Sequence, residues 1–253
     1  MVPGSASEQA VNKLDDVRGL LFDKDGTILD YWRTWIPVNR AVATYAANGD
    51  PALRDRVLEA GGQDPITNHV ASSSVLAAGT VDQIVAMTYE VAPDAPADLL
   101  VEAERLFQQA GAVHGVLIDG AREALVELRA LGLRLGLATN DTHAGMVSSL
   151  DKFDLWDLFE FTCGADSGFG AKPGPGMVNA FAEAVGLATN QTAVVGDSNH
   201  DLEMARRAGA HAIAVLSGTG DAGDLPRYAD VVLDSVVDLV ALFEFGTGKM
   251  SET

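Results

Sequence analysis

From Val116 onward the chain alternates between helical stretches and short apolar runs, and this rhythm constrains the fold more than any other feature. Ala121, Ala124, Leu125, Leu128 and Leu131 recur at helical spacing and are closed by Gly132 as a C-cap. A strand over 133–138 follows, ending in Thr139-Asn140-Asp141. The pattern predicts a helix over 142–152, a strand near 159–163, and then Lys172-Pro173-Gly174-Pro175 leading into a helix with Val178, Phe181, Ala184 and Val185. A strand over 192–196 stops at Asp197; after it come a helix over 199–208, strands at 212–215 and 231–233, and a helix over 236–243. Strands separated by helices pair in parallel, with helices on both faces, so the expectation is a doubly wound parallel α/β sheet.

An earlier apolar run, 17–22, reads as the first strand and stops abruptly at Asp23-Lys24-Asp25-Gly26-Thr27. If the extended backbone continues, Asp23 and Asp25 point to one side and Lys24 to the other. Two acids are costly as core and belong beside a crevice, which open α/β sheets form at the carboxyl ends of their strands. Gly26 permits a sharp turn there, and Thr27 adds a hydroxyl.

The strand–helix rhythm is then interrupted. Trp32, Trp35, Ile36, Val38, Val42 and Tyr45 predict an amphipathic helix with Pro37 near its start, broken at Gly49-Asp50-Pro51. Residues 52–115 keep a helical character, clearest at Leu99, Leu100, Ala103, Leu106, Phe107 and Ala110 after Pro96. A polar segment from Gly61 to Gly79 includes Asn68, His69 and Ser72-Ser73-Ser74. The expected organisation is a Rossmann-like core over 16–30 and 117–245, an inserted α-helical cap over 31–116, and tails at 1–15 and 246–253.

Bulk properties narrow the function. The 253 residues carry 36 Asp and Glu against 17 Lys and Arg, a net charge of −19. That charge disfavours nucleic acid and anionic membrane surfaces as partners. An anionic substrate needs local help from a metal, a Lys or a helix N-terminus. One cysteine, Cys163, precludes an intramolecular disulfide and a cysteine-rich zinc site. With no apolar leader and no run of membrane-spanning length, a cytoplasmic protein is expected.

Four polar clusters fall at predicted strand ends or just beyond one: Asp23 with Asp25, Thr139 with Asn140, Lys172, and Asp197 with Asp201. Taken singly, each has an ordinary reading: Thr139 as a helix N-cap, Lys172 as a surface lysine, Asp197 and Asp201 as acids at a helix start. Together they line one crevice suited to phosphoryl transfer. A carboxylate approaching a phosphate dianion meets ~4 kcal/mol of repulsion per charge pair at ~4 Å and intermediate dielectric. A divalent cation held by acids removes most of it, and Mg²⁺ suits a few carboxylates.

The four clusters, in this order, resemble the motifs of the haloacid dehalogenase superfamily, in its phosphoglycolate phosphatase-like branch with a helical cap. Asp23-Lys24-Asp25-Gly26-Thr27 matches the first motif, Thr139 the second, Lys172 the third, and Gly196-Asp197-Ser198-Asn199-His200-Asp201 the fourth. The resemblance runs from about residue 17 to 245. It implies Asp23 as nucleophile, forming an aspartyl-phosphate, and Asp25 as acid and then base. It implies that Asp23, the Asp25 carbonyl and Asp197 hold Mg²⁺ with Asp201 as ligand or supporting acid, that Thr139 and the Asn140 N–H bind phosphate, and that Lys172 neutralises charge.

The expected activity is hydrolysis of a small soluble phosphate monoester, with phosphoglycolate the branch's reference substrate. A phosphomutase and a non-catalytic phosphate-ligand binding protein remain as alternatives on the same fold. Asn68, His69 and Ser72 to Ser74 are candidate contacts to the leaving group, and the Ser217-Gly218-Thr219-Gly220 loop is a candidate border of the crevice. His200 reads as a solvated helix residue and Cys163 as core, while Trp32 and Trp35 read as cap packing, with the cleft between core and cap as their alternative place. His114 and His211 carry no motif, and His143 follows the second motif directly.

Overall fold

The computed structural model describes residues 14–72, 74–220 and 222–247. Six strands form one parallel sheet in the order β3-β2-β1-β4-β5-β6. They are β1 (Gly19–Phe22), β2 (Arg134–Ala138), β3 (Phe161–Cys163), β4 (Thr192–Gly196), β5 (His211–Val215) and β6 (Val231–Leu233). β1 lies between β2 and β4, with Phe22 level with Leu137 on one side and Val195 on the other. The chain runs outward one way through β2 and β3, then crosses back to β4. The carboxyl end of β1 is therefore the switch point of the sheet, where such folds place ligands.

Side-chain alternation splits the core in two. Leu20 and Phe22 face a layer built on α6 (Ala121–Ala130), α7 (His143–Leu150) and α10 (Leu239–Thr247). Leu21 faces the opposite layer, built on α8 (Gly176–Val185) and α9 (Asn199–Ala208). Both faces of β1 are buried, which explains its continuous apolar run.

Between β1 and β2 come five helices: α1 (Tyr31–Ala46), α2 (Pro51–Ala60), α3 (Val75–Ala78), α4 (Val81–Val91) and α5 (Leu99–His114). They bury their own cluster, with Trp35, Val38, Val42, Val70, Val85 and Leu99 at its centre. The chain enters and leaves this block side by side: the Asp30 N–H donates to the Val116 carbonyl at 2.8 Å, and the Ile118 N–H to that of Ile28 at 2.9 Å.

Several sequence readings shift. Pro37 sits inside α1 rather than near its start, because Asp30 caps the helix from one residue before Tyr31. Leu100, placed on the apolar stripe of α5, is exposed, whereas Leu99 and Ala103 are fully buried. Residues 236–238 form a 3-10 turn that α10 continues. The 142–152 helix shortens to α7, with Thr142 as its N-cap. Most of the two proposed tails, and Ser73, lie outside the described residues.

Candidate active site

The loop after β1 is a tight turn. The Asp23 N–H donates to the Val195 carbonyl at 2.8 Å, extending the sheet by one residue. The chain then folds back: the N–H groups of Ile28 and Leu29 both donate to the Lys24 carbonyl at 2.9 Å. Gly26 makes this turn at φ +83°, and a Cβ there would lie 2.5 Å from Asp197 Oδ2. Only glycine allows both the conformation and the close approach.

Strand alternation therefore does not extend through Lys24. Its stem is buried and its ammonium returns to the Asp25 side, 3.3 Å from Asp25 Oδ2 and 2.7 Å from Asp141 Oδ2. It also sits 4.8 Å from the centre of the Trp35 ring. The turn at Gly26 ends the extended backbone, and a buried ammonium must find carboxylates. Trp35 completes the arrangement by donating its Nε1–H to Asp25 Oδ1 at 2.5 Å. Trp35 thus packs in the helical block and also reaches the site, combining the two roles that the sequence offered for it.

Thr139 is buried at the end of β2, its N–H donating to the Cys163 carbonyl at 3.0 Å. It does not cap the following helix, which Thr142 does; its hydroxyl oxygen accepts from the Asp141 N–H at 3.1 Å. Asn140 clamps the third cluster in place. Its Oδ1 accepts from the Lys172 N–H at 2.8 Å, and its Nδ2 donates to the Lys172 carbonyl at 3.3 Å. Lys172 is far from an ordinary surface lysine: its ammonium is buried, bonded to Asp23 and, at 2.7 Å, to Asp201 Oδ1.

After β4, Asp201 both caps and serves the site. Its Oδ2 accepts from the Ser198 N–H at 3.1 Å and hydroxyl at 2.5 Å, closing a capping box at the start of α9. Asp197 Oδ2 accepts from the Thr219 N–H at 2.6 Å, so the 217–220 loop holds Asp197 in place without itself lining the cavity. Ser217 anchors that loop by donating to the Gly26 carbonyl at 2.7 Å.

The charges explain the electrostatics. Burial pushes Asp23 well above the usual carboxylate range, opposed by Lys172 and reinforced by its acidic neighbours. Asp197 is pushed up to about 7, first by burial and then by the charge of Asp201. Burial also raises Asp25, against the pull of Lys24. For Lys172 burial opposes the charge, but Asp201 and Asp23 outweigh it and hold the ammonium protonated. Lys24 is held the same way by Asp141 and Asp25.

Asp23, Asp197 and Asp201 each offer a carboxylate oxygen, all within 4.8 Å of one another and all buried. Three hard oxygen donors with an excess of negative charge fit a divalent cation such as Mg²⁺. Burial first and the charge of Asp201 second raise Asp197, and a bound cation would relieve both.

One cavity of about 680 Å³, its mouth included, joins these groups to the helical block. Asp23, Asp25, Thr139, Asn140, Lys172, Asp197 and Asp201 all line it, as do Asp141, Ser198 and His200. His200 is half-buried with Nδ1 lacking a partner, so it is not the solvated residue the sequence suggested. Among the described residues of the Gly61 to Gly79 segment, only Leu76, Ala77 and Gly79 reach the cavity. Asn68 is instead held by Arg40, and His69 stacks on Trp32. Cys163 is buried, its thiol pushed up to about 12 by burial, and it takes no part in the cavity. His114, His143 and His211 stay outside as well.

Comparison with known proteins agrees with this geometry. The phosphoglycolate phosphatase of Escherichia coli K12 is 28% identical over 251 residues, covering 91% of this chain and 94% of its own. A HAD family hydrolase from Deinococcus radiodurans R1, solved with bound phosphate and sodium, superposes with TM-score 0.66 at 23% identity. It covers 94% of this chain and 100% of that one. A hydrolase from Pseudomonas syringae gives TM-score 0.65 at 22% identity, over 90% and 98% of the two chains. The model of the haloacid dehalogenase-like hydrolases matches residues 20–215, which include all four clusters of the crevice, and the chain belongs to that family.

Proposed function

We propose that the protein is a Mg²⁺-dependent phosphatase that hydrolyses a small phosphate monoester through a phosphorylated Asp23. The observation that carries this reading is the pairing of two carboxylates in different company within one turn. Asp23 bonds Lys172, and Asp25 is held by Trp35 and Lys24. One acid is thereby oriented as nucleophile and the other as proton carrier, as two-step phosphoryl transfer requires.

A carboxylate oxygen of Asp23 attacks phosphorus while the ester P–O bond breaks. The leaving oxygen takes the proton of Asp25, whose raised pKa suits it to hold one. Asp25, now ionised, removes a proton from water; the water oxygen attacks phosphorus, and the Asp23–phosphate bond breaks to release phosphate. The Thr139 hydroxyl and the Asn140 N–H bind phosphoryl oxygens, and the Lys172 ammonium offsets their charge beside Asp23. Asp23, Asp197, Asp201 and the Asp25 carbonyl would hold Mg²⁺, which would supply positive charge to offset that of the nucleophile and the phosphate. The helices over 31–116 act as a cap on the core at 16–30 and 117–245, excluding water from the cavity.

Hydrolysis of p-nitrophenyl phosphate with Mg²⁺, with a chelator, and with Asp23→Asn tests the reading. Turnover is expected only for the wild type with Mg²⁺, with inorganic phosphate as product. Turnover that persists in Asp23→Asn contradicts the mechanism, and transfer of the phosphoryl group to a sugar instead of water marks a mutase.

A further inference from the structure

The same cavity has a roof as well as a floor, and the roof describes the leaving group. It is largely apolar, with Leu76, Ala77, Val81, Ile84 and Phe107 facing the site. Among the described residues of the helical block, no Lys, Arg or His lines it. Its side-chain donors are spent on the protein: the Tyr31 hydroxyl donates to the Leu76 carbonyl at 2.8 Å, and the Trp35 N–H donates to Asp25. α4 reaches the cavity through Val81, but it opens on a Thr80–Gln83 capping box and carries an acid, Asp82, in its first turn.

One polar group of the roof is left over, and its polarity is set by a relay. The Arg40 guanidinium can only donate, and it donates to Asn68 Oδ1 at 2.8 and 3.0 Å. Asn68 Oδ1 also takes the Gln63 Nε2–H at 3.4 Å, which turns Gln63 Oε1 toward Asn39. Asn39 accordingly gives its Nδ2–H to Gln63 Oε1 at 3.0 Å and keeps Oδ1 without a partner. Asn39 is 1% exposed and lines the cavity, so a buried acceptor waits there for a donor.

We infer that the ester's leaving group is an uncharged, largely apolar alcohol bearing a second hydroxyl, and that it lacks a carboxylate. The hydroxyl donates to Asn39 Oδ1, and the apolar body packs against the roof. A carboxylate, as in phosphoglycolate, would meet an acceptor, an apolar wall and five cavity aspartates, with both nearby lysines already paired.

This inference rests on the phosphatase reading, and a matched series separates the two. Steady-state kcat/KM is measured for benzyl, 4-(hydroxymethyl)benzyl and 4-carboxybenzyl phosphate, and for phosphoglycolate. Both carboxylates are expected to fall roughly tenfold or more below the hydroxymethyl ester, because a buried acceptor left without its donor discriminates strongly. Asn39→Leu is expected to erase the advantage of the hydroxymethyl over the plain benzyl ester. Leu76→Lys, which adds a cation at the half-buried rim, is expected to raise 4-carboxybenzyl relative to benzyl turnover. A wild-type enzyme that prefers either carboxylate, while hydrolysing all four esters, overturns this inference and leaves the phosphatase reading intact. Absence of turnover with every ester, including p-nitrophenyl phosphate, overturns both.

Discussion

The floor and the roof of the cavity solve opposite problems. The floor gathers five aspartates and Lys172 at the ends of parallel strands, in a protein whose net charge is −19. It tolerates them by pairing: Lys172 joins Asp23 to Asp201, and Lys24 joins Asp25 to Asp141. The roof is built from helices that bury their own apolar cluster and, among the described residues, holds one buried acceptor without a partner, Asn39 Oδ1. On the proposed reading, charge is concentrated where bonds would change, and shape and polarity are placed where the leaving group would lie. On that reading reaction type and selectivity sit on different elements, the strand-end loops and the helices between β1 and β2, which the Trp35–Asp25 bond joins.

If the floor works as an interlocked set of charges, breaking it has the largest consequences. Lys172→Met leaves Asp23 and Asp201 buried without their cation. It should lower the stability of the metal-free protein by about 3–5 kcal/mol. In the same variant kcat should fall by roughly 10²–10³-fold, as on removing one preorganised electrostatic partner. Thermal unfolding and single-turnover kinetics check both. Lys24→Met should cost comparable stability, since its side chain is fully buried between two acids, but it touches no group that meets phosphate. Its kcat loss should be smaller than that of Lys172→Met; equal losses would mean that the two lysines are not divided between nucleophile and acid.

The junction between floor and roof is tested by Trp35→Phe, which keeps the ring packed and deletes only the N–H. A loss of roughly tenfold in kcat, with KM little changed, corresponds to about 1.4 kcal/mol of transition-state stabilisation. Asp25 then lacks one of its two holding contacts. A change confined to KM would assign Trp35 to substrate packing instead.

The smallest expected effect is the pH response of the metal site. Burial pushes Asp197 in the folded protein up to about 7, well above the ordinary carboxylate range. The folded metal-free protein therefore holds that proton more tightly than the unfolded chain, and its stability is lost as pH rises toward 7. Mg²⁺ must displace the proton, so the fraction of sites ready to bind should drop roughly tenfold from pH 8 to pH 6. Calorimetric titration at the two values should show weaker binding at pH 6, with proton release. Affinity that does not change across this window would remove Asp197 from the metal site.

The two regions were also unequally legible in the sequence. Most of the floor could be read because its acids and Thr139 sit within a few positions of a strand end, where apolar runs stop, and Lys172 because it opens the Lys-Pro-Gly-Pro run ahead of a helix. Parallel pairing then brings those ends together whatever lies between them. Lys24 escaped, because a turn at Gly26 breaks the alternation that sent its side chain away. Asp141 escaped because its role exists only through Lys24, 117 residues distant in sequence. The roof was nearly silent: polarity pointed to Asn68 and His69, but Asn68 is consumed in the relay that starts at Arg40 and ends at Asn39. Asn39 itself looks like one polar residue inside a helix, and only the packing of α1 against the 61–79 segment gives it meaning. His200 could have been read from its place between two motif acids.

The most direct measurement is to find where the phosphoryl group resides during turnover. The enzyme is mixed with a radiolabelled phosphate ester and Mg²⁺, quenched in acid within one turnover, digested and mapped by peptide. The account predicts label on the peptide carrying Asp23, lost on treatment with hydroxylamine and absent in Asp23→Asn. Label on another residue, or undiminished turnover by Asp23→Asn, would contradict it.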